Sequence, residues 1–183
     1  ASTLIKSLCY QLQQRGEVDC VLAIGHSYDL DDFVPAEHQR PTNDISLQPE
    51  DIQVLQELYD NQAALCKRNQ NAKVLVIIDG ICCDRNFFKT KIIRALAMNG
   101  RCLGIRVIFS MQGGVNDIPT AIRVNIDTTF VLSTVRPERR HLYEKCFGQF
   151  PTFAAFQKVY DAVGSNEYTA LVTDNRVHYN ADS

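Results

Sequence analysis

Apolar positions along this chain follow two rhythms. Leu4, Ile5, Leu8, Cys9 and Leu12 recur three or four residues apart, and Gly16 follows, so residues 2–15 are predicted to form a helix with one buried stripe. Residues 19–25 (DCVLAIG) are apolar over the length of a strand. Residues 26–47 are polar and carry Pro35 and Pro41. They read as a loop, and a loop that long in a compact domain usually carries function. Residues 49–68 return to helical spacing through Ile52, Leu55, Leu58, Tyr59, Ala63 and Cys66. Pro49 sits at the first turn of that helix, Glu50 and Asp51 suit its positive end, and Lys67 and Arg68 suit its negative end.

The second half continues the alternation. Residues 73–79 (KVLVIID) are apolar without a polar face, which predicts a strand covered on both sides, as in a parallel sheet. A helix over 86–99, closed by Gly100, leads to a further buried strand over 104–111 (GIRVIFSM). Residues 127–134 read as a strand, 137–147 and 153–163 as helices split by Pro151. Residues 168–174 read as a last strand, pairing with 177–179 as a hairpin. Strands alternating with helices predict an α/β fold of three layers around a mostly parallel sheet. Right-handed crossovers put helices on both faces. Ligands of such sheets bind beyond the carboxyl ends of the strands, so the chemistry is expected just after Ile78, Met111 and Leu132.

Composition narrows the class. A chain of 183 residues has room for one core, and at 45% hydrophobic and 22% charged it is ordinary for a globular domain. Mean hydropathy of −0.16 and the lack of an apolar run near 18 residues predict no membrane-spanning helix. A net charge of −2 argues against a bulk electrostatic nucleic-acid binder, though it permits a local basic patch. The seven cysteines are odd in number, lie mostly in apolar segments and form no C-x-x-C, which points to small buried hydrophobes in a reducing compartment.

Few residues remain as candidates for chemistry. Asp79 ends a buried strand, the position from which an aspartate holds Mg²⁺ through water in P-loop NTPases. The same Asp-Gly pair also suits a plain turn. Gln112 ends the next buried strand and could orient a water or sense a γ-phosphate, or simply begin the turn at Gly113 and Gly114. No glycine is followed by lysine, so a complete phosphate-binding loop motif is absent. Ser2 and Thr3 nevertheless open an amphipathic helix, as the hydroxyl residue of such a motif does, and an ordinary Ser-capped helix would look the same. Arg123 is a candidate for stabilising phosphoryl charge on a neighbouring subunit. Arg136, Arg139 and Arg140 fit pairs with local carboxylates such as Glu138 or Glu144. Arg94, Arg101 and Arg106 are scattered candidates for phosphate contacts. No histidine is spaced to serve a nucleophile, and Asp31, Asp32 and Glu37 read as solvated turn carboxylates.

In order and spacing these segments resemble the genome-packaging ATPases of nucleocytoplasmic large DNA viruses, the poxvirus-type packaging ATPase within the FtsK–HerA class of P-loop motors. Ser2-Thr3-Leu4 resembles the end of a Walker A motif, and YDLDDFVP (28–35) resembles the aromatic-and-proline loop after the second strand. VLVIIDG (74–80) resembles the Walker B strand, RVIFSMQ (106–112) the sensor strand, and IRVNIDTTFVL (122–132) the Arg-x-Asn segment and its strand. The resemblance implies a single RecA/FtsK-like P-loop domain over residues 1–183, without its first strand and most of its Walker A loop. It implies ATP and Mg²⁺ as cofactors, Ser2 or Thr3 on the metal, Asp79 on the metal through water, Gln112 as sensor and Arg123 reaching a neighbour's nucleotide. It further implies double-stranded viral DNA as substrate, assembly into a ring, capsid or membrane-vertex proteins as partners, and a place in the cytoplasmic viral factory and the virion.

The chain departs from the family at two points. Gly80 stands where the family carries a second acid, with Asp84 the nearest substitute, and Ala1 stands in the register of the Walker A lysine. Those departures keep a second expectation open, a scaffold or DNA-binding subunit without turnover. A third is a small α/β hydrolase or metal-binding module that uses Asp79 without ATP.

Overall fold

The computed structural model describes residues 2–25, 34–41, 46–70, 72–80, 86–111, 118–132, 136–164 and 169–175. Two compact units divide the chain, 1–113 and 114–183. The first is built on four parallel strands in the order β2-β1-β3-β4: β1 Cys20–Gly25, β2 Gln39–Pro41, β3 Val74–Asp79 and β4 Ile105–Ser110. All six residues of β3 are buried, as their unbroken apolar pattern requires of an interior strand.

Helices cover both faces of this sheet. Helix α1 (Ser2–Gln14) lays Ile5, Cys9 and Leu12 on Val21, Ala23, Leu75, Ile77 and Ile108. The strand residues in that set alternate, which defines one face. The other face belongs to α2 (Pro49–Lys67) and α3 (Lys91–Asn99). There the rings of Phe87 and Phe88, in a short 3-10 turn, meet Phe109 edge-on at 5.8 and 5.7 Å. The helix predicted over 86–99 is thus two pieces, a turn at Phe87–Lys89 and α3, joined at Thr90.

Strand β2 arises inside the segment read as loop. Its Gln39, Arg40 and Pro41 pair with Ala23, Ile24 and Gly25, and Pro41 is tolerated because β2 is an edge. Arg40 then reaches α2, donating Nε to Asp51 Oδ1 at 2.6 Å, while Asp51 Oδ2 accepts the Gln48 amide at 3.2 Å in a capping box. Asp51 is 4% exposed, so its charge depends on these donors. Arg40→Ala is expected to cost about 1–2 kcal/mol in urea denaturation, less than for a fully buried pair because the Arg40 side chain is 35% exposed.

The second unit holds a small antiparallel sheet and two helices. β5 (Thr128–Val131) pairs with β6 (Leu171–Asp174), so the last strand's partner is β5, and residues 177–179 lie outside the described residues. Val131 and Leu171 face a cluster of Phe147, from the turn after α5 (Arg136–Cys146), with Phe156 and Tyr160 of α6 (Phe153–Gly164), and Leu142 and Tyr143 of α5 pack against it. Of the expected pairs with local carboxylates, Arg140–Glu144 occurs, and Arg139 takes Asp161 instead. Arg139 binds Asp161 at 2.6 Å and stacks on Tyr160, and Arg140 binds Glu144 at 2.9 Å. Arg139 thus ties α5 to α6, whereas the Arg140–Glu144 pair lies within α5, with Arg140 also over the Phe153 ring.

Candidate functional site

Register sets the carboxyl edge of the parallel sheet. Pro41, Gly25, Asp79 and Ser110 are direct partners on β2, β1, β3 and β4 and form one row. Leu75 and Ile77 face α1, so alternation puts Asp79 on that face too, with Ser110 beside it. Asp79 is 8% exposed at the end of a strand that is otherwise carbon.

Helix α1 runs toward this row. Its carboxyl end is fixed at the opposite edge of the sheet. Lys73, just ahead of β3, donates Nζ to the Gly16 carbonyl at 2.8 Å, and Arg106 at the start of β4 pairs with Glu17 at 2.5 Å. That guanidinium holds the Glu17 carboxyl below its usual range, chiefly through the hydrogen bond. Thirteen residues of helix span roughly 20 Å, the length of a six-residue strand. The amino end of α1, with Ser2 and the exposed Thr3, is thereby directed toward the edge that carries Asp79. A helix amino terminus offers unpaired N–H groups and a positive dipole end, and a carboxylate beside it offers hard oxygen to a cation.

Two glycines shape the row. Gly25 has φ +129°, and a Cβ there would collide with the Asp79 carbonyl oxygen. Its lack of a side chain lets β1 and β3 end in close contact. Gly80 has φ +82° and donates its N–H to the Ser110 carbonyl at 3.2 Å, closing the turn after Asp79. A second acid at that position would adopt a backbone that L-residues disfavour. Gly80→Glu is expected to lower stability by about 1–2 kcal/mol, and Gly80→Asn by less, in parallel denaturant titrations.

No protein-family model matches the chain. Among viral proteins, it is 31% identical to uncharacterized protein 075L of Invertebrate iridescent virus 6, over 62% of this chain and 44% of that one. It is 30% identical to uncharacterized protein 088R of Invertebrate iridescent virus 3, over 68% of this chain and 48% of that one. It is 29% identical to uncharacterized protein L437 of Acanthamoeba polyphaga mimivirus, over 60% and 40%. The chain thus spans less than half the length of these relatives. Among solved structures it is similar to the genome packaging NTPase B204 of Sulfolobus turreted icosahedral virus 2. With the AMP complex the TM-score is 0.59 at 18% identity, over 94% of this chain and 85% of that one. With the AMPPCP complex it is 0.55 at 17%, over 86% and 79%. The chain shares that protein's fold.

The other predicted residues are distributed more widely. Gln112, Asp84, Asp31 and Asp32 lie outside the described residues, as do 28–33 of the aromatic-and-proline segment. Arg123 belongs to the second unit, at the end of the single-turn helix α4 (Thr120–Arg123). It donates to the Ile118 carbonyl at 3.2 Å and the Thr120 hydroxyl at 3.1 Å, and it lines a hollow of about 340 Å³ with Lys145, Cys146 and Asn175. Arg106 is engaged by Glu17. Two features escape the sequence. Gly25 looks like any strand-ending glycine until its partner across the ladder is known. His38 stands 3.6 Å from the Cys20 sulfur, although 18 residues separate them, and burial pushes that thiol's pKa up. Among the described residues no helix is long and apolar enough to cross a membrane.

Proposed function

We propose that this chain is the nucleotide-hydrolysing body of a viral genome-packaging motor, a P-loop ATPase of the poxvirus type in the FtsK–HerA class. The observation that carries this reading is Asp79 at the carboxyl end of the fully buried β3, on the face of α1 and at the edge that the α1 amino end reaches. The fold shared with a packaging NTPase solved in complexes with AMP and AMPPCP supports it.

In this reading residues 1–183 belong to one ATPase domain whose phosphate-binding loop leads into α1. The donors at the edge fit magnesium. Asp79, Ser110, Ser2 and Thr3 all offer hard oxygen, and the row contains no thiolate or imidazole. Bound there, Mg²⁺ would neutralise phosphate charge. Asp79 would hold it through water and the Ser2 or Thr3 hydroxyl directly. The α1 amino end would meet the phosphates with its free N–H groups. Gln112 would orient the attacking water, and Arg123 would leave its local acceptors to reach the nucleotide of the next subunit in a ring. The substrate would be double-stranded viral DNA, gripped through its phosphates by loops lining the ring. Capsid or membrane-vertex proteins would be the docking partners, in the viral factory and its reducing cytoplasm.

ATP turnover with and without duplex DNA, measured on the protein at the full length of its viral relatives, tests this. DNA-stimulated turnover that depends on Asp79 is the expected result, and equal turnover by an Asp79 variant would overturn it. Gly80 favours a second reading, a DNA-binding subunit without turnover, because the place of the second acid is taken by a left-handed glycine. DNA binding with no turnover in the same assay would select it.

A further inference from the structure

Two cysteines depart from the small buried hydrophobe that Cys9 represents. Cys9 is 0% exposed in the stripe of α1, whereas Cys66 is half-buried and Cys102 is exposed. They stand 36 residues apart in the chain and side by side in the fold. Cys66 belongs to the last turn of α2, and Cys102 to the 3-10 turn Gly100–Leu103 that follows α3. The Cys66 thiol donates to the Cys102 carbonyl at 3.9 Å. A carbonyl oxygen lies about 2.4 Å from its own Cα, so the Cys66 sulfur is within roughly 6 Å of the Cys102 Cα. A disulfide has a similar reach, with Cα atoms about 4.4–6.8 Å apart.

The two elements hang from one short segment. Gln62, one turn before Cys66, is 3% exposed and donates Nε2 to the Ala72 carbonyl at 3.1 Å. Gly104, two residues after Cys102, sits at φ +72° against the same carbonyl, where a Cβ would approach to 2.7 Å. Its own carbonyl accepts the Val74 N–H at 2.9 Å. The backbone ahead of β3 therefore holds the end of α2 and the 3-10 turn in fixed relation, and the exposed Cys102 side chain is the part with room to turn.

Charge selects the reagent. Lys67, Arg68 and Arg101 are exposed beside the two thiols, and neither residues 61–78 nor residues 85–116 contain an acid. Such surroundings draw an anionic reagent.

We propose that Cys66 and Cys102 form a reversible redox latch, closed by a small anionic disulfide of the glutathione class. The Cys102 thiol loses its proton to solvent, and its sulfur attacks one sulfur of the reagent. The reagent's S–S bond breaks, and one glutathione thiolate leaves and takes up a proton. The Cys66 thiol then loses its proton and attacks the Cys102 sulfur, releasing the second glutathione. Two protein thiols give up two electrons and two protons, and one glutathione disulfide becomes two glutathiones. The bond ties the end of α2 to the turn that enters β4, at the edge of the sheet opposite Asp79. Cys102 is exposed, so thiols in solution reopen it.

The full-length protein, incubated folded with glutathione disulfide, then alkylated and cleaved without reductant, tests this by mass spectrometry. The expected product is a peptide pair joined through Cys66 and Cys102, two hydrogens lighter than the reduced pair. Its yield should be independent of protein concentration, and dithiothreitol should release it. Cys66→Ser should leave glutathione stably on Cys102, and Cys102→Ser should leave the Cys66 thiol free. Closing the loop from 66 to 102 should raise the folding equilibrium by on the order of 10²–10³-fold, read as a higher urea midpoint of the oxidised protein. Glutathione that stays on Cys102 in the wild-type protein would sink the proposal. So would a link from either thiol to another cysteine or to a second copy, or two thiols that both stay free. None of these readouts involves nucleotide, so the latch and the ATPase reading fail separately.

Discussion

Replacing Asp79 with alanine is expected to lower Mg-ATP turnover by on the order of 10²–10³-fold, the effect of removing about 3–4 kcal/mol of transition-state stabilisation. The magnitude follows from the position. Asp79 is 8% exposed on a strand flanked by β1 and β4, so its carboxylate cannot be replaced by a mobile neighbour. Asp79→Asn keeps the shape and removes the charge, so it should lose nearly as much turnover. If the residue only shaped the turn, asparagine would restore the rate. Both variants should leave the sheet folded, because Leu75, Val76, Ile77 and Ile78 supply the burial of β3. Denaturant midpoints near wild type, beside a collapse in turnover, would separate chemistry from folding. Equal turnover across the three proteins would sink the proposed role.

Gly25→Ala is expected to give the largest loss of stability of any single methyl added to the first unit, about 3–5 kcal/mol. Two costs add. The backbone at φ +129° is one that alanine adopts only under strain of order 1–3 kcal/mol. The new Cβ would also meet the Asp79 carbonyl oxygen, part of the backbone of a fully buried strand, and overpacking costs typically 1–3 kcal/mol. Gly16→Ala is the control. It shares a positive φ, +61°, but nothing lies within 4 Å of its Cβ, so it should lose only the strain component. Urea titrations of both variants measure the difference. An equal loss would mean that the approach of β1 to β3 is not tight. Because Gly25 lies beside Asp79 in register, its alanine variant should also depress nucleotide turnover more than its loss of stability explains.

Much of the first unit was legible in the chain. The stripe through Ile5, Cys9 and Leu12 specifies an amphipathic α1, and the unbroken run ending at Asp79 specifies a strand buried on both faces. Less was legible where contacts are distant. Strand β2 is three residues long and includes Pro41, and only its pairing with Ala23, Ile24 and Gly25 makes it a strand. β6 has a strand's composition but no local mark of its partner, and it takes β5, some forty residues away, as its antiparallel mate. Arg40 and Asp51 look like separate surface charges until the sheet sets β2 against α2. Phe87 begins what reads as a helix, but Phe87 and Phe88 face Phe109 as a tight turn, and α3 begins only at Lys91.

The candidate site divides in the same way. By itself the sequence determined that an aspartate ends the most apolar strand and that a helix opens with Ser2 and Thr3, because periodicity and residue type are local properties. Only the tertiary structure decided which edge and face Asp79 occupies and that α1 runs toward that edge. Facing is set by strand register, which pairs Gly25, Asp79 and Ser110 across three segments of chain, and by the Lys73 and Arg106 contacts that fix the far end of α1. Those are long-range hydrogen bonds and packing contacts, and no spacing within a single segment encodes them.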